Sequence, residues 1–120
     1  MQWLDYLPWR DAFAGALDPR LHPIDYLDRR ILDGSVRLWT SPEAAVVTEI
    51  RTYPTGARAV HFLIVAGEKN AIKRLGPPIE AWARSIGCIG ALIESRPGWA
   101  REMKADGYTI HQVSIWKDLA

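Results

Sequence analysis

Arg58-Ala59-Val60-His61-Phe62-Leu63-Ile64-Val65 and Cys88-Ile89-Gly90-Ala91-Leu92-Ile93-Glu94 are two nearly continuous apolar runs, and what lies between them decides the fold. Runs this short and this apolar read as strands covered on both faces. From Pro78 to Ile86, the residues Ile79, Trp82, Ala83 and Ile86 recur at i, i+3, i+4 and i+7, which is one apolar stripe of a helix. Gly87 stands where a C-terminal cap is expected. Before it, Asn70 caps a shorter helical stretch through Ala71, Ile72 and Leu75, and Gly76-Pro77-Pro78 kinks or restarts the helix. Strand, helix and strand in this order form a right-handed crossover, with the two strands parallel.

Working outward, Ser35–Thr40 alternates polar and apolar residues, and Ala44–Tyr53 is rich in β-branched residues. Pro54-Thr55-Gly56-Ala57 reads as the turn into the Arg58 strand. A first helix runs from Pro8 to Leu17, and a second from Pro23, at its first position, to Asp33, with Gly34 as its cap. Beyond the crossover, Pro97 opens a helix through Trp99, Ala100 and Met103 that Gly107 closes. Tyr108–Trp116 is the last strand. The order α-α-β-β-β-α-β-α-β predicts an α/β (α+β) domain, a mixed central sheet with helices on both faces.

Composition narrows the function classes. The chain has 120 residues, 48% of them hydrophobic, which suits a single domain over residues 1–120. Net charge is +1, from 15 basic and 14 acidic residues, so neither nucleic acid nor an anionic membrane is an expected partner. Val60–Ala66 is too short to span a bilayer. Met1–Arg10 lacks the pattern of a secretory signal. The single cysteine, Cys88, allows no internal disulfide, and a cytoplasmic setting is expected. The histidines His22, His61 and His111 are scattered without metal-ligand spacing, so no metal is expected. Six tryptophans are many for this size, and one or two are expected at an association surface.

The element order resembles the core of the GNAT acetyltransferase superfamily. Ile79–Cys88 is similar to its crossover helix entering the fifth strand. Glu94-Ser95-Arg96-Pro97-Gly98-Trp99, followed by Asp106-Gly107-Tyr108, is similar to its fourth helix and exit. The Arg96-Pro97-Gly98-Trp99 pattern resembles GNAT-like proteins of phages and prophages, which implies host cytoplasm or a virion. The family's first strand would fall within Met1–Leu7.

The resemblance implies acetyl-CoA as a possible cofactor, held where the fourth strand runs into a glycine-rich loop and helix. Here that segment is Ala66–Arg74, with Gly67 as its one glycine. Gly67, Lys69, Asn70, Lys73 and Arg74 are the candidate cofactor residues, the basic ones neutralising phosphate by charge. The family's usual tyrosine acid falls at Met103. Glu49 and His61, on neighbouring strands, are the candidate general bases. Arg96, Trp99 and Trp116 are the candidate partner interface, in a homodimer or with another protein. Two functions follow: a non-catalytic protein for binding, assembly or host inhibition, or an acyl-CoA-dependent N-acetyltransferase acting on an amine.

Overall fold

A computed structural model describes residues 2–119. Helix α1 (Trp3–Tyr6) runs through a 3-10 turn, Leu7–Trp9, into α2 (Arg10–Ala16). Then follow α3 (Ile24–Asp33), β1 (Arg37–Ser41), β2 (Ala44–Thr52), β3 (Arg58–Gly67), α4 (Lys69–Ser85), β4 (Gly90–Ile93) and α5 (Pro97–Glu102). The sheet order is β1-β2-β3-β4, with β1, β2 and β3 antiparallel in turn and β4 parallel to β3. The predicted crossover from Arg58 to Glu94 therefore stands.

Alternation along β2 and β3 builds a core on each face. Ala45, Val47, Ile64 and Ala66 meet Tyr6, Phe13, Leu27 and Ile31 of the N-terminal helices. Val46 and Val60 meet Ile79 and Ala83 of α4, with Trp39 and Trp82 packed edge-to-face at 5.4 Å beside them. The Arg37 guanidinium lies over both indoles, at 4.6 and 4.8 Å. Asp28 ties the helices together by accepting from Tyr6 Oη at 2.7 Å and from both Nε and Nη2 of Arg10.

Four expectations change. The N-terminal helix begins at Trp3 rather than Pro8, so Met1–Leu7 supplies no strand where it is described. In place of such a strand, the Gln2 side-chain amide pairs with the outer edge of β1. Its Nε2 donates to Val36 O at 2.8 Å and to Ile31 O at 3.2 Å, and its Oε1 accepts from Leu38 N at 3.0 Å. Pro23 is the cap of α3, not its first residue. Helix α4 continues through Pro77 and Pro78 without restarting, held by the packing of Ile79 and Ala83 on the sheet; its cap is Glu68, not Asn70. Finally, Tyr108–Trp116 is not a strand and has no sheet partner among the described residues. Neither face of that segment is cleanly apolar, so nothing fixes its register against β4. The helices do lie on both faces of a mixed sheet, as the predicted class requires.

Candidate functional site

The parallel pairing of β3 with β4 ends at Phe62 and Ile93, while β3 continues to Gly67. One residue beyond that last pair the β2–β3 register shifts, leaving Leu63 as an extra residue on β3. A bulge increases local twist and bends the strand, and here it falls where the two strands part. The gap holds an apolar cleft of about 60 Å³, lined by Phe62, Leu63, Ile93, Trp99 and Met103, with Lys73 at its rim. It lies beyond the carboxyl end of β4, beside the stretch of β3 that runs on without a parallel partner, and the carboxyl end of a parallel pair is where α/β sheets bind ligands.

The candidate cofactor residues surround the start of α4. Gly67 has φ of +109°, and a Cβ there would come within 2.2 Å of Glu43 O. Its missing side chain thus admits the neighbouring backbone, and Glu68 N donates to the same carbonyl at 2.9 Å. The amides of Asn70 and Ala71 point at the Glu68 carboxylate, at 3.0 and 2.7 Å. Those two bonds hold the Glu68 carboxyl below its ordinary range. The positive end of the helix is therefore neutralised by the chain itself. Each base has an acidic neighbour: Lys69 lies 3.2 Å from Glu102, Lys73 lies 3.5 Å from Asp106, and Arg74 lies 3.9 Å from Glu43. Lys73 also donates to Glu102 O at 3.2 Å.

The candidate bases do come together. Glu49 and His61 are register partners on β2 and β3, and His61 Nδ1 lies 2.6 Å from Glu49 Oε2. Arg30 of α3 donates to Glu49 Oε1 at 2.7 Å, so the Glu49 side chain is only 14% exposed. Burial raises the Glu49 carboxyl, but the bonds from Arg30 and His61 outweigh it and leave the group below its ordinary range. His61 is 3% exposed, and its buried Nε2 has no hydrogen-bond partner. Glu94 Oε1 stands 3.5 Å from that nitrogen and accepts from Arg51 at 2.7 Å. Glu94 also lines the cleft, so it joins the cleft rim to the imidazole. With Nδ1 engaged by the Glu49 carboxylate, Nε2 is the ring atom left for proton exchange, and Glu94 stands beside it.

Met103 is buried on the cleft wall and offers a thioether where the resemblance expects a phenol. Tyr108 is turned away: its hydroxyl donates to Glu80 Oε2 at 2.7 Å, and burial followed by that bond raises its pKa. Of the candidate interface residues, Trp99 is half-buried in the cleft, Arg96 is exposed at the start of α5, and Trp116 is 69% exposed. Among the described residues, no group of three or more metal-ligating side chains is arranged to hold an ion, and no helix is long and apolar enough to cross a membrane.

Sequence reasoning missed Arg30, Arg51, Glu94 and Glu68. The first three join the site only through the fold. Glu68 carried a local signal, a carboxylate immediately before the first helical residue.

Neither protein-family profiles nor curated sequences match this chain. Solved structures do. A Trypanosoma brucei acetyltransferase superposes with a TM-score of 0.70 at 13% identity, covering 99% of this chain and 96% of that one. Glucosamine-6-phosphate N-acetyltransferase from Arabidopsis thaliana gives 0.65 at 13% identity, covering 100% and 95%. Ribosomal-protein-alanine N-acetyltransferase from Brucella melitensis gives 0.68 at 15% identity, covering 98% and 92%. The sheet that splits at Phe62 and Ile93, with α4 crossing between its parallel strands, thus has the fold of the GNAT acetyltransferases.

Proposed function

We propose that this chain is a non-catalytic GNAT-like protein that binds a protein partner, of the kind phages and prophages encode for assembly or for inhibiting a host protein. The observation that carries this reading is Glu68. Its carboxylate takes the amides of Asn70 and Ala71, where a bound pyrophosphate would need them. Pairing of Lys69, Lys73 and Arg74 with acidic groups, and Met103 in place of a phenolic acid, support the same reading. Arg96, Trp99 and Trp116 are the residues offered to the partner.

A second reading keeps an acyl-CoA-dependent N-acetyltransferase acting on an amine. It is favoured by the cleft between β3 and β4 and by the Glu49–His61 pair joined to its rim through Glu94. In that reading Glu49 orients His61, and His61 takes the proton from the amine.

Calorimetry with acetyl-CoA and with CoA separates the two. The expected dissociation constant is about 0.1 mM or weaker, because each lost charge-assisted amide bond removes about 1.5–3 kcal/mol. Glu68→Gly, which frees both amides and removes a repelling carboxylate, is expected to tighten binding roughly tenfold. A micromolar isotherm for the unaltered chain that disappears in a Lys69→Ala, Lys73→Ala variant would overturn the binding reading and restore the transferase.

A further inference from the structure

The β1–β2 ladder starts at the Arg37 and Thr48 pair, and beyond it β2 runs on through Thr52 beside β3. At that step in the sheet lies an open groove of about 560 Å³. Leu32, at the end of α3, lines one side and is 59% exposed. Ile50 and Trp82, from the core under α4, line the other, and Arg37 stands in the groove with them. The groove shares no lining residue with the cleft between β3 and β4.

Arg37 is exposed, yet it is held in place. Its guanidinium rests 4.6 Å from the Trp39 ring centre and 4.8 Å from that of Trp82. Trp39 is itself fixed, because its Nε1 donates to the buried Thr48 Oγ1 at 3.0 Å. Attraction to a ring face positions a guanidinium without consuming its N–H groups. Elsewhere in the fold Arg10, Arg30 and Arg51 each bond a carboxylate, whereas among the described residues none pairs with Arg37. The carboxylate that does line the groove, Glu49, is already held by Arg30 and His61. The groove therefore combines apolar surface with one oriented and unpaired cation.

We infer that this groove takes an acidic side chain of a protein partner, its carboxylate paired with Arg37 and an adjoining apolar side chain laid against Leu32, Ile50 and Trp82. A planar guanidinium with free N–H groups matches the two oxygens of a carboxylate. One cation suits one acid: a nucleic acid needs a row of bases, and the groove lining holds no second one. Arginine and tryptophan together are also the residue types on which partner contacts concentrate. The inference rests on the reading of this chain as a binding protein and names the chemistry of what it binds. The two fail separately, since acetyl-CoA calorimetry tests the reading and peptide titration tests the groove.

NMR titration of the full chain with the peptide acetyl-Leu-Glu-Leu-amide decides it. The Trp39 and Trp82 indole N–H signals and the Arg37 Nε–H signal are expected to shift and saturate, with a dissociation constant of about 1 mM. Acetyl-Leu-Gln-Leu-amide is expected to bind roughly tenfold more weakly, because a neutral amide forfeits the charge-assisted pair. Arg37→Lys, which keeps the charge and loses the fork, is expected to weaken the Glu peptide about fivefold, and Arg37→Met roughly tenfold or more. Unmoved Trp3 and Trp9 indole signals verify that each variant is folded. The absence of a saturable shift by about 10 mM peptide overturns the proposal, as does equal binding of the Glu and Gln peptides. Binding that survives Arg37→Met overturns it too, because the peptide would then sit elsewhere. Should that variant not fold, the Glu and Gln peptides on the unaltered chain decide alone. Inorganic phosphate that moves the same signals as strongly as the Glu peptide, or a short single-stranded DNA that binds more tightly, overturns the assignment to a protein partner.

Discussion

Gly67→Ala is expected to lower the unfolding midpoint by about 15 °C. Two costs add. At φ of +109° the backbone lies where side-chain-bearing residues are strained by about 1–3 kcal/mol. The new Cβ would also meet Glu43 O at 2.2 Å and Ala44 Cα at 2.7 Å, both backbone atoms that cannot rotate away. Shifting the end of β3 from the start of β2 costs about another 1–3 kcal/mol, for a total near 4 kcal/mol. Gly34→Ala is the control. Its φ is +77° but nothing lies within 4 Å, so only the conformational cost of about 1 kcal/mol remains. Thermal unfolding of both variants checks the argument, and equal losses would show that the contact with Glu43 carries no weight.

Glu49→Ala is expected to cost about 3 kcal/mol, or roughly 12 °C in midpoint. The substitution leaves the Arg30 guanidinium and the buried His61 ring facing each other without the carboxylate between them. Removing one member of a buried charged set costs more than the set contributes as a whole, because the remaining charges are desolvated without compensation. The pH dependence carries a sign. Glu49 titrates below its ordinary value of 4.5 in the folded chain, so the folded state binds fewer protons there than the unfolded one. Its stabilisation is fully present above that value and is lost as pH falls through the lower folded value. Unfolding free energy of the unaltered chain should therefore decline on acidification below about pH 4.5, with a shallower slope in Glu49→Gln. A loss under 1 kcal/mol in Glu49→Ala, or an unchanged acid slope in Glu49→Gln, would show that the contacts with Arg30 and His61 are idle.

The parts of this architecture that were legible in the chain are those written in local periodicity. Ile79, Trp82, Ala83 and Ile86 announce the crossover helix, and the apolar runs beside it announce two covered strands; β3, α4 and β4 follow. The closing strand was misread because alternation in Tyr108–Trp116 states a propensity but not a partner. No restart occurs at Gly76-Pro77-Pro78 because tertiary packing of Ile79 and Ala83 on Val46 and Val60 holds one continuous helix. Glu49 and His61 could be chosen from their strands, yet their contact depends on the β2–β3 register. Arg30 and Glu94 reach them only after α3 has docked and β4 has ended. The cleft was illegible for a similar reason: it exists because pairing stops at Phe62, and no residue type encodes where a ladder stops.

The Gln2 amide has a consequence for growth. A sheet with two open edges can add chains at both and extend without limit, the route to fibres. In this molecule one side-chain amide occupies Val36 O and Leu38 N, so the start of the β1 edge is already paired. A chain adding at the start of β1 would first have to displace those two bonds, a cost that the β4 edge does not impose. Stripping that amide from position 2 would leave the start of β1 as open to a second chain as β4.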